Sequence, residues 1–365
     1  MKSPGPEAGA AARLAEEIER GGPLAFSRFM EIALYDSAGG YYASGRAAVG
    51  KAGDFITNVS VGGVYGEIVA EVIREMHAAL GAPENFTIVE QGAHDGLLAR
   101  DIIDAVEGQF PYRIIEPVPL WGERQAATLG DREVTWVTHA GELPSFEGVH
   151  LSNELFDALP FDVVRSDGER WRHRHVGLAD GRFVWCDGPS VEESLPQRPA
   201  GYTTEIRRDH GAVLRPLASR MKRGFVLAVD YGYPEEAFFA PFRSDGTLSC
   251  YRGHRRDADP LEDPGQKDIT GHVNFTALTR DAAAAGFQPA GAADQYHFLV
   301  GAATGLLQAL DGATSPEAAR KLRALRLLLH PETMGRQFHA LLFARGIDPV
   351  PVLSGFRHSR GTSLA

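Results

Sequence analysis

The run Ile88-Val89-Glu90-Gln91-Gly92-Ala93-His94-Asp95-Gly96 constrains the fold more than any other stretch of the chain. It reads as a buried strand ending in a carboxylate, then a glycine turn, then an amphipathic helix from Leu97 to about Val106. A second apolar run, Tyr112-Arg113-Ile114-Ile115-Glu116, ends in another acid. Gly92 and Glu116 stand 24 residues apart, close to the roughly 20 of a nucleoside-binding βαβ unit. An acid at the second strand tip can accept hydrogen bonds from both ribose hydroxyls. The pair therefore predicts a nucleoside site.

The turn narrows which nucleoside. A dinucleotide site needs a second glycine so that the backbone can approach a pyrophosphate at the helix N-terminus. Here His94 stands at that place and Asp95 sits at the mouth of the helix. A carboxylate about 6 Å from one phosphate charge costs roughly 3 kcal/mol at an effective dielectric near 20. S-adenosylmethionine carries no phosphate, but a cationic sulfonium and an ammonium, and suits an acidic turn better. Glu90, beside the turn, can receive the ammonium directly or through water.

Strands continue to alternate with helices along the chain. Helices are predicted over Ala12–Glu19, Leu24–Leu34, Gly62–Leu80, Leu120–Leu129, Thr276–Ala285, Phe298–Leu310 and Pro316–Leu329. Further strands fall at Val134–Val137, Gly148–Ser152, Gly224–Tyr231, Phe287–Ala290 and Phe338–Phe343. The Gly224–Tyr231 run is the most apolar of these, with Phe225–Val229 uninterrupted before Asp230, as expected of a parallel strand buried on both faces. This alternation predicts an α/β fold with a mostly parallel sheet. Between Phe161 and Asp187 the pattern changes to alternating residues, with Asp167-Gly168 and Asp180-Gly181 as hairpin turns, so a small antiparallel insertion is expected. Domain bounds follow: a tail and helix over 1–21, one domain over 22–346 with its insertion at about 161–188, and a loose tail over 347–365.

In open α/β sheets ligands bind beyond the carboxyl ends of the strands. Glu90, Glu116, the Asn153-Glu154 pair and Asp230 all fall at such ends. In Asn153-Glu154-Leu155-Phe156-Asp157-Ala158-Leu159-Pro160, one helical turn would put Glu154 and Asp157 on the same side, kept short by Pro160. Two such carboxylates can hold a guanidinium; alternatively Asp157 caps a helix and Glu154 is solvated. His254 and His272 are candidate general bases, with a structural role as the other reading of each.

Composition removes other classes. A formal net charge of −11 argues against a non-specific grip on nucleic acid and leaves room for a basic peptide as substrate. Cys186 and Cys250 stand far apart with no ligand cluster, so neither zinc nor a disulfide framework is expected. No run of eighteen apolar residues predicts a membrane helix. Glu7, Glu16, Glu17 and Glu19 speak against a signal or transit peptide, which predicts cytoplasmic residence.

Several blocks, in order, resemble the MidA family of S-adenosylmethionine-dependent methyltransferases. They are Phe26–Tyr42, Gly53–Thr57 (GDFIT), Glu90–Gly96, Asn153–Pro160 (NELFDALP), Asp230–Tyr233 (DYGY), Gly246–His254 and Asp268–Phe275. The similarity runs from about Gly22 to Gly346. It implies a class I, Rossmann-like methyltransferase fold with a seven-stranded sheet, an inserted small subdomain and extra helices. It implies S-adenosylmethionine as methyl donor and a protein arginine as acceptor; the family's mitochondrial member is a complex I assembly factor, which points to a respiratory-complex subunit as partner. Carried across, Glu90, Gly92, Gly96 and Glu116 would bind the cofactor, and the Gly53–Thr57 loop, Asn153, Glu154 and Asp157 would line the active cleft. Gly53, Thr57 and Asn153 are then expected to serve the cofactor, and Glu154 and Asp157 the chemistry, with His272 as the general-base candidate beside them. Two departures stand out: Ala93-His94-Asp95 replaces a more glycine-rich turn, and Asn58-Val59-Ser60-Val61 replaces a Pro-Glu continuation after GDFIT. A catalytically weak assembly chaperone and a small-molecule methyltransferase stay open as alternatives, as does a homodimer.

Overall fold

The structure is a computed structural model describing residues 9–46, 58–207, 210–252, 255–257, 259–330 and 334–358. The described residues fall into two compact units. One draws on Ile56–Phe156, Asp209–Pro234 and Val273–Ala365, the other on Met1–Phe55, Asp157–Arg208 and Glu235–His272.

The first unit is built on seven principal strands: β1 (Phe86–Gln91), β2 (Tyr112–Ile115), β3 (Val134–Val137), β4 (Phe146–Asn153), β5 (Met221–Tyr233), β6 (Gln288–Asp294) and β7 (Phe338–Arg345). They lie in the order β3-β2-β1-β4-β5-β7-β6. Strands β1 to β5 pair in parallel with their neighbours, whereas β7 runs antiparallel to both β5 and β6. Val273–Asn274 adds a two-residue parallel pairing at the end of β5. Residues Phe225 to Val229 of β5 are buried on both faces, which is why that stretch is apolar without alternation. Helix α1 (Val64–Ala79) buries Ile68, Val69, Val72, Ile73 and Met76 in the same core as Ile88 and Leu151. Each such side chain contributes about 1.5–3 kcal/mol relative to exposure. The order of connections reverses between β1 and β4, so this unit's ligand crevice belongs at their C-terminal ends.

The second unit is antiparallel. Leu24–Ala25, Trp171–Ala179, Asp162–Ser166 and Thr203–Ile206 form one path, with Arg182–Ser190 paired to Trp171–Ala179. Asp180 and Gly181, at φ 51° and 73°, make the two-residue turn with left-handed centres that such a hairpin requires. Ser249–Arg252 pairs with Arg255–Asp257 and Asp268–Thr270. The Gly246-Thr247-Leu248 corner before it wraps the buried Glu205, whose carboxylate accepts from Thr247 N (2.9 and 3.0 Å), Thr247 Oγ1 (2.9 Å) and Leu248 N (2.9 Å). A Cβ on Gly246 would fall 2.2 Å from Glu205 Oε1.

Three expectations change. Leu24–Ala25 leaves the expected helix, which runs Phe26–Tyr35, because it pairs with Val176 and His175 on the antiparallel sheet. That sheet also recruits Thr203–Ile206, well past residue 188. The segment after Ile347 is not a loose tail throughout: it holds a buried turn at Ser354–Phe356, where the Phe356 ring packs 5.4 Å from that of Phe298. Among the described residues no helix is long and apolar enough to cross a membrane.

Candidate active site

The glycine turn follows β1 and leads into helix α2 (Leu97–Ala105). Gly92, His94 and Gly96 adopt φ of 78°, 49° and 82°, and left-handed backbone favours glycine at the outer two. A Cβ at Gly92 would lie 3.3 Å from Leu155 Cδ1, and one at Gly96 3.3 Å from Gln125 Cα. The turn is closed by Gly96 N–H donating to Ala93 O at 2.8 Å. Asp95 already occupies the helix mouth. Its partial burial favours the neutral form, but the His94 ring and the Leu97 N–H together hold it below the ordinary carboxylate range. The positive end of α2 is thus neutralised from within the chain, and a pyrophosphate would meet a carboxylate.

Glu116 comes directly after β2. One oxygen accepts Val118 N–H and the other Gln125 Nε2, both at 2.9 Å. Each oxygen therefore keeps one lone pair for a ligand hydroxyl. Burial pushes its pKa up, and the two donors oppose that shift.

Glu90 is only 2% exposed, and the Tyr112 hydroxyl donates to it at 2.6 Å. Burial pushes it up to about 7, against the Tyr112 hydrogen bond and with a smaller upward push from Asp95. Covered this way, the Glu90 carboxylate has almost no surface left for direct contact with a ligand.

At the tip of β4 the expected helical turn is absent. Glu154 takes φ 56°, its N–H donates to Val229 O at 2.8 Å, and Phe156 N–H donates to Asp230 Oδ2 at 2.8 Å. These backbone donors are committed to β5, so residues 154–157 form a bend and Glu154 and Asp157 do not share a helix face. Asn153 Oδ1 accepts from Asn58 Nδ2 (3.3 Å) and the Tyr65 hydroxyl (3.1 Å), while its Nδ2 donates to Glu154 Oε1 at 3.2 Å. Asn153 thus aims the Glu154 carboxylate.

Asp157 and His272 fall in the antiparallel unit. Asp157 is buried, and its carbonyl accepts from Gly271 N (3.2 Å) and Arg207 Nη2 (2.6 Å). His272 is half-buried; its N–H donates to Thr247 Oγ1 at 2.9 Å and its carbonyl accepts from Arg207 Nη1 at 2.7 Å. Gly53, Thr57 and His254 lie outside the described residues. Sequence reasoning missed Gln125, Tyr112 and Tyr65. Tyr112 was within reach, since it opens β2 on the same side as Ile114, the β2 residue paired with Glu90.

This strand order, with a glycine turn after β1 and an acid after β2, defines a class I methyltransferase fold whose crevice suits a phosphate-free nucleoside. Residues 68–293 match the family described as "Putative S-adenosyl-L-methionine-dependent methyltransferase". The chain belongs to that family and is an S-adenosylmethionine-dependent methyltransferase, as its MidA resemblance implies. It is 26% identical to the Mus musculus protein arginine methyltransferase NDUFAF7, mitochondrial, over 88% of this chain and 81% of the mouse protein. The Drosophila melanogaster homologue is also 26% identical, over 94% and 87%. A Burkholderia thailandensis protein crystallised with S-adenosyl-homocysteine superposes with a TM-score of 0.86 at 29% identity, covering 97% of this chain and 95% of that one. The relatives correct one expectation. They are labelled mitochondrial, so cytoplasmic residence does not stand. Residence is set by receptor-read addresses, which the acidic N-terminus did not exclude.

Proposed function

We propose that this methyltransferase acts on a guanidino nitrogen of arginine in a protein acceptor. The observation that carries the reading is Glu154, a carboxylate in left-handed backbone beside the glycine turn, aimed by Asn153 and anchored to β5. A non-glycine residue in that conformation costs on the order of 1 kcal/mol, and here two strand contacts sustain it. A carboxylate so placed accepts N–H bonds from a guanidinium and concentrates its charge on one nitrogen. Another nitrogen is then better able to attack. S-adenosylmethionine, when bound, supplies a methyl group on a good sulfonium leaving group. The protein's own work is positioning and electrostatic alignment.

Gly92, Gly96 and Glu116 are the proposed seat of the nucleoside, with Glu90 supplying negative field and Asn153 acting through Glu154. Asp157, Gly53 and Thr57 come from the family pattern and His272 from its standing as a general-base candidate, and each is open to its own substitution. The net charge of −11 suits a cationic protein segment, and the animal relatives are named protein arginine methyltransferases. A subunit of a respiratory complex, which the family resemblance implies, is the acceptor to try first.

The test is transfer of radiolabelled methyl to lysate proteins, with mass spectrometry of the labelled bands. Methylarginine that falls at least a hundredfold with Glu154→Ala is the expected result. Label confined to low-mass fractions would make it a small-molecule methyltransferase, and no label at all a binding protein on the same fold.

A further inference from the structure

Helix α3 (Pro119–Leu129) follows Glu116 and carries Gln125, a glutamine with no exposed surface. Its Nε2 donates to His94 O and to Glu116 Oε2, both at 2.9 Å, and its Oε1 accepts from Trp136 Nε1 at 2.9 Å. We propose that Gln125 is the positioning residue that locks the glycine turn and the Glu116 carboxylate into one rigid seat for the nucleoside. The inference rests on the reading of Glu116 as the acceptor of the ribose hydroxyls.

The amide has two N–H donors, and each serves a different cofactor element. One holds the backbone of the turn, the other the carboxylate of the strand tip. The indole N–H fixes which end of the amide is which. A reversed amide would set its oxygen against a carbonyl and a carboxylate, and its N–H against another N–H. Only one orientation survives. The backbone of the same residue also limits the turn, because a Cβ at Gly96 would fall 3.3 Å from Gln125 Cα. One helical turn earlier, the Trp121 ring lies against His94, with ring centroids 4.3 Å apart. Helix α3 therefore grips the turn at two successive levels, and Gln125 carries that grip to Glu116. Neither glutamate nor leucine could replace it. A carboxylate would face two acceptors, and an aliphatic chain would take this partner from three half-buried polar groups.

The experiment uses the full chain and titrates S-adenosylhomocysteine calorimetrically between pH 5 and 9. In Gln125→Met, which keeps length and removes the amide, Kd rises about tenfold at pH 7.5. The pH below which affinity is lost also moves up, because Glu116 loses a donor that favours its ionised form. Trp136→Phe removes only the indole N–H and shifts both readouts the same way by less. A wild-type Kd in folded Gln125→Met, or a weaker Kd with an unmoved pH limb, overturns the inference. If Gln125→Met does not fold, Trp136→Phe with wild-type Kd and pH limb does the same. Glu116→Gln separates the two claims. Unchanged binding there removes the ribose reading itself, whereas weakened binding there with unchanged binding in Gln125→Met removes only the role of Gln125.

Discussion

Glu90 is a buried carboxylate held against its own ionisation, and that has a consequence measurable without any ligand. Its ordinary value is 4.5, and burial raises it to about 7 in the folded chain. Between those values the folded state binds a proton that the unfolded state has released, so stability falls as pH rises through this window. The favourable contribution of neutral Glu90 is complete below 4.5 and gone above about 7. Glu90→Gln removes the titration. The variant should match the wild type near pH 4 and exceed it at pH 8 by up to about 3 kcal/mol, as read by urea unfolding at both values. Equal stability of the two proteins at pH 8 would show that Glu90 ionises freely. Keeping such a group at a destabilising position is what a site selected for negative field beside a cationic ligand would do.

The loop from β4 toward Pro160 shows how a strand on one side dictates a bend on the other. Asp230, fully buried at the tip of β5, accepts Phe156 N–H at 2.8 Å and its neighbour Tyr231 N–H at 2.9 Å. Replacing it with alanine takes the acceptor from the buried Phe156 N–H, at about 1–3 kcal/mol, and from the half-buried Tyr231 N–H. Asp230→Ala should therefore lower stability by a few kcal/mol by that count and speed amide exchange at Glu154 and Phe156 in particular. Unchanged protection at those two amides would mean that Asp230 does not hold the loop.

The same region marks what was readable in advance. Strands such as β1 and β5 announce themselves because a run buried on both faces is mostly apolar, and the glycine turn because left-handed backbone selects its residues. The bend at Glu154 was misread as a helical turn because its hydrogen bonds go to Val229 and Asp230, more than seventy positions along the chain. Gln125 was invisible for a similar reason. It looks like any polar helix residue until Trp136, His94 and Glu116 converge on it. Leu24–Ala25 carries helical spacing, and only its non-local partners Val176 and His175 make it a strand.

Across the whole molecule, two units are each assembled from three separate segments of chain. The change of pattern near Phe161 signalled the second of them, but not that the N-terminal segment and Thr203–Ile206 would join its sheet. That membership depends on pairing across long sequence separations, which local periodicity does not encode. The parallel sheet, by contrast, follows from alternation alone, and with it the place of the crevice at the ends of β1 and β4. The proposed seat of the nucleoside lies at those strand tips. A crystal of the full chain grown with S-adenosylhomocysteine tests this most directly. The ribose hydroxyls should be found on the two oxygens of Glu116 and the adjoining chain along Gly92. A nucleoside lodged elsewhere, with the turn and Glu116 left bare, would contradict the assignment.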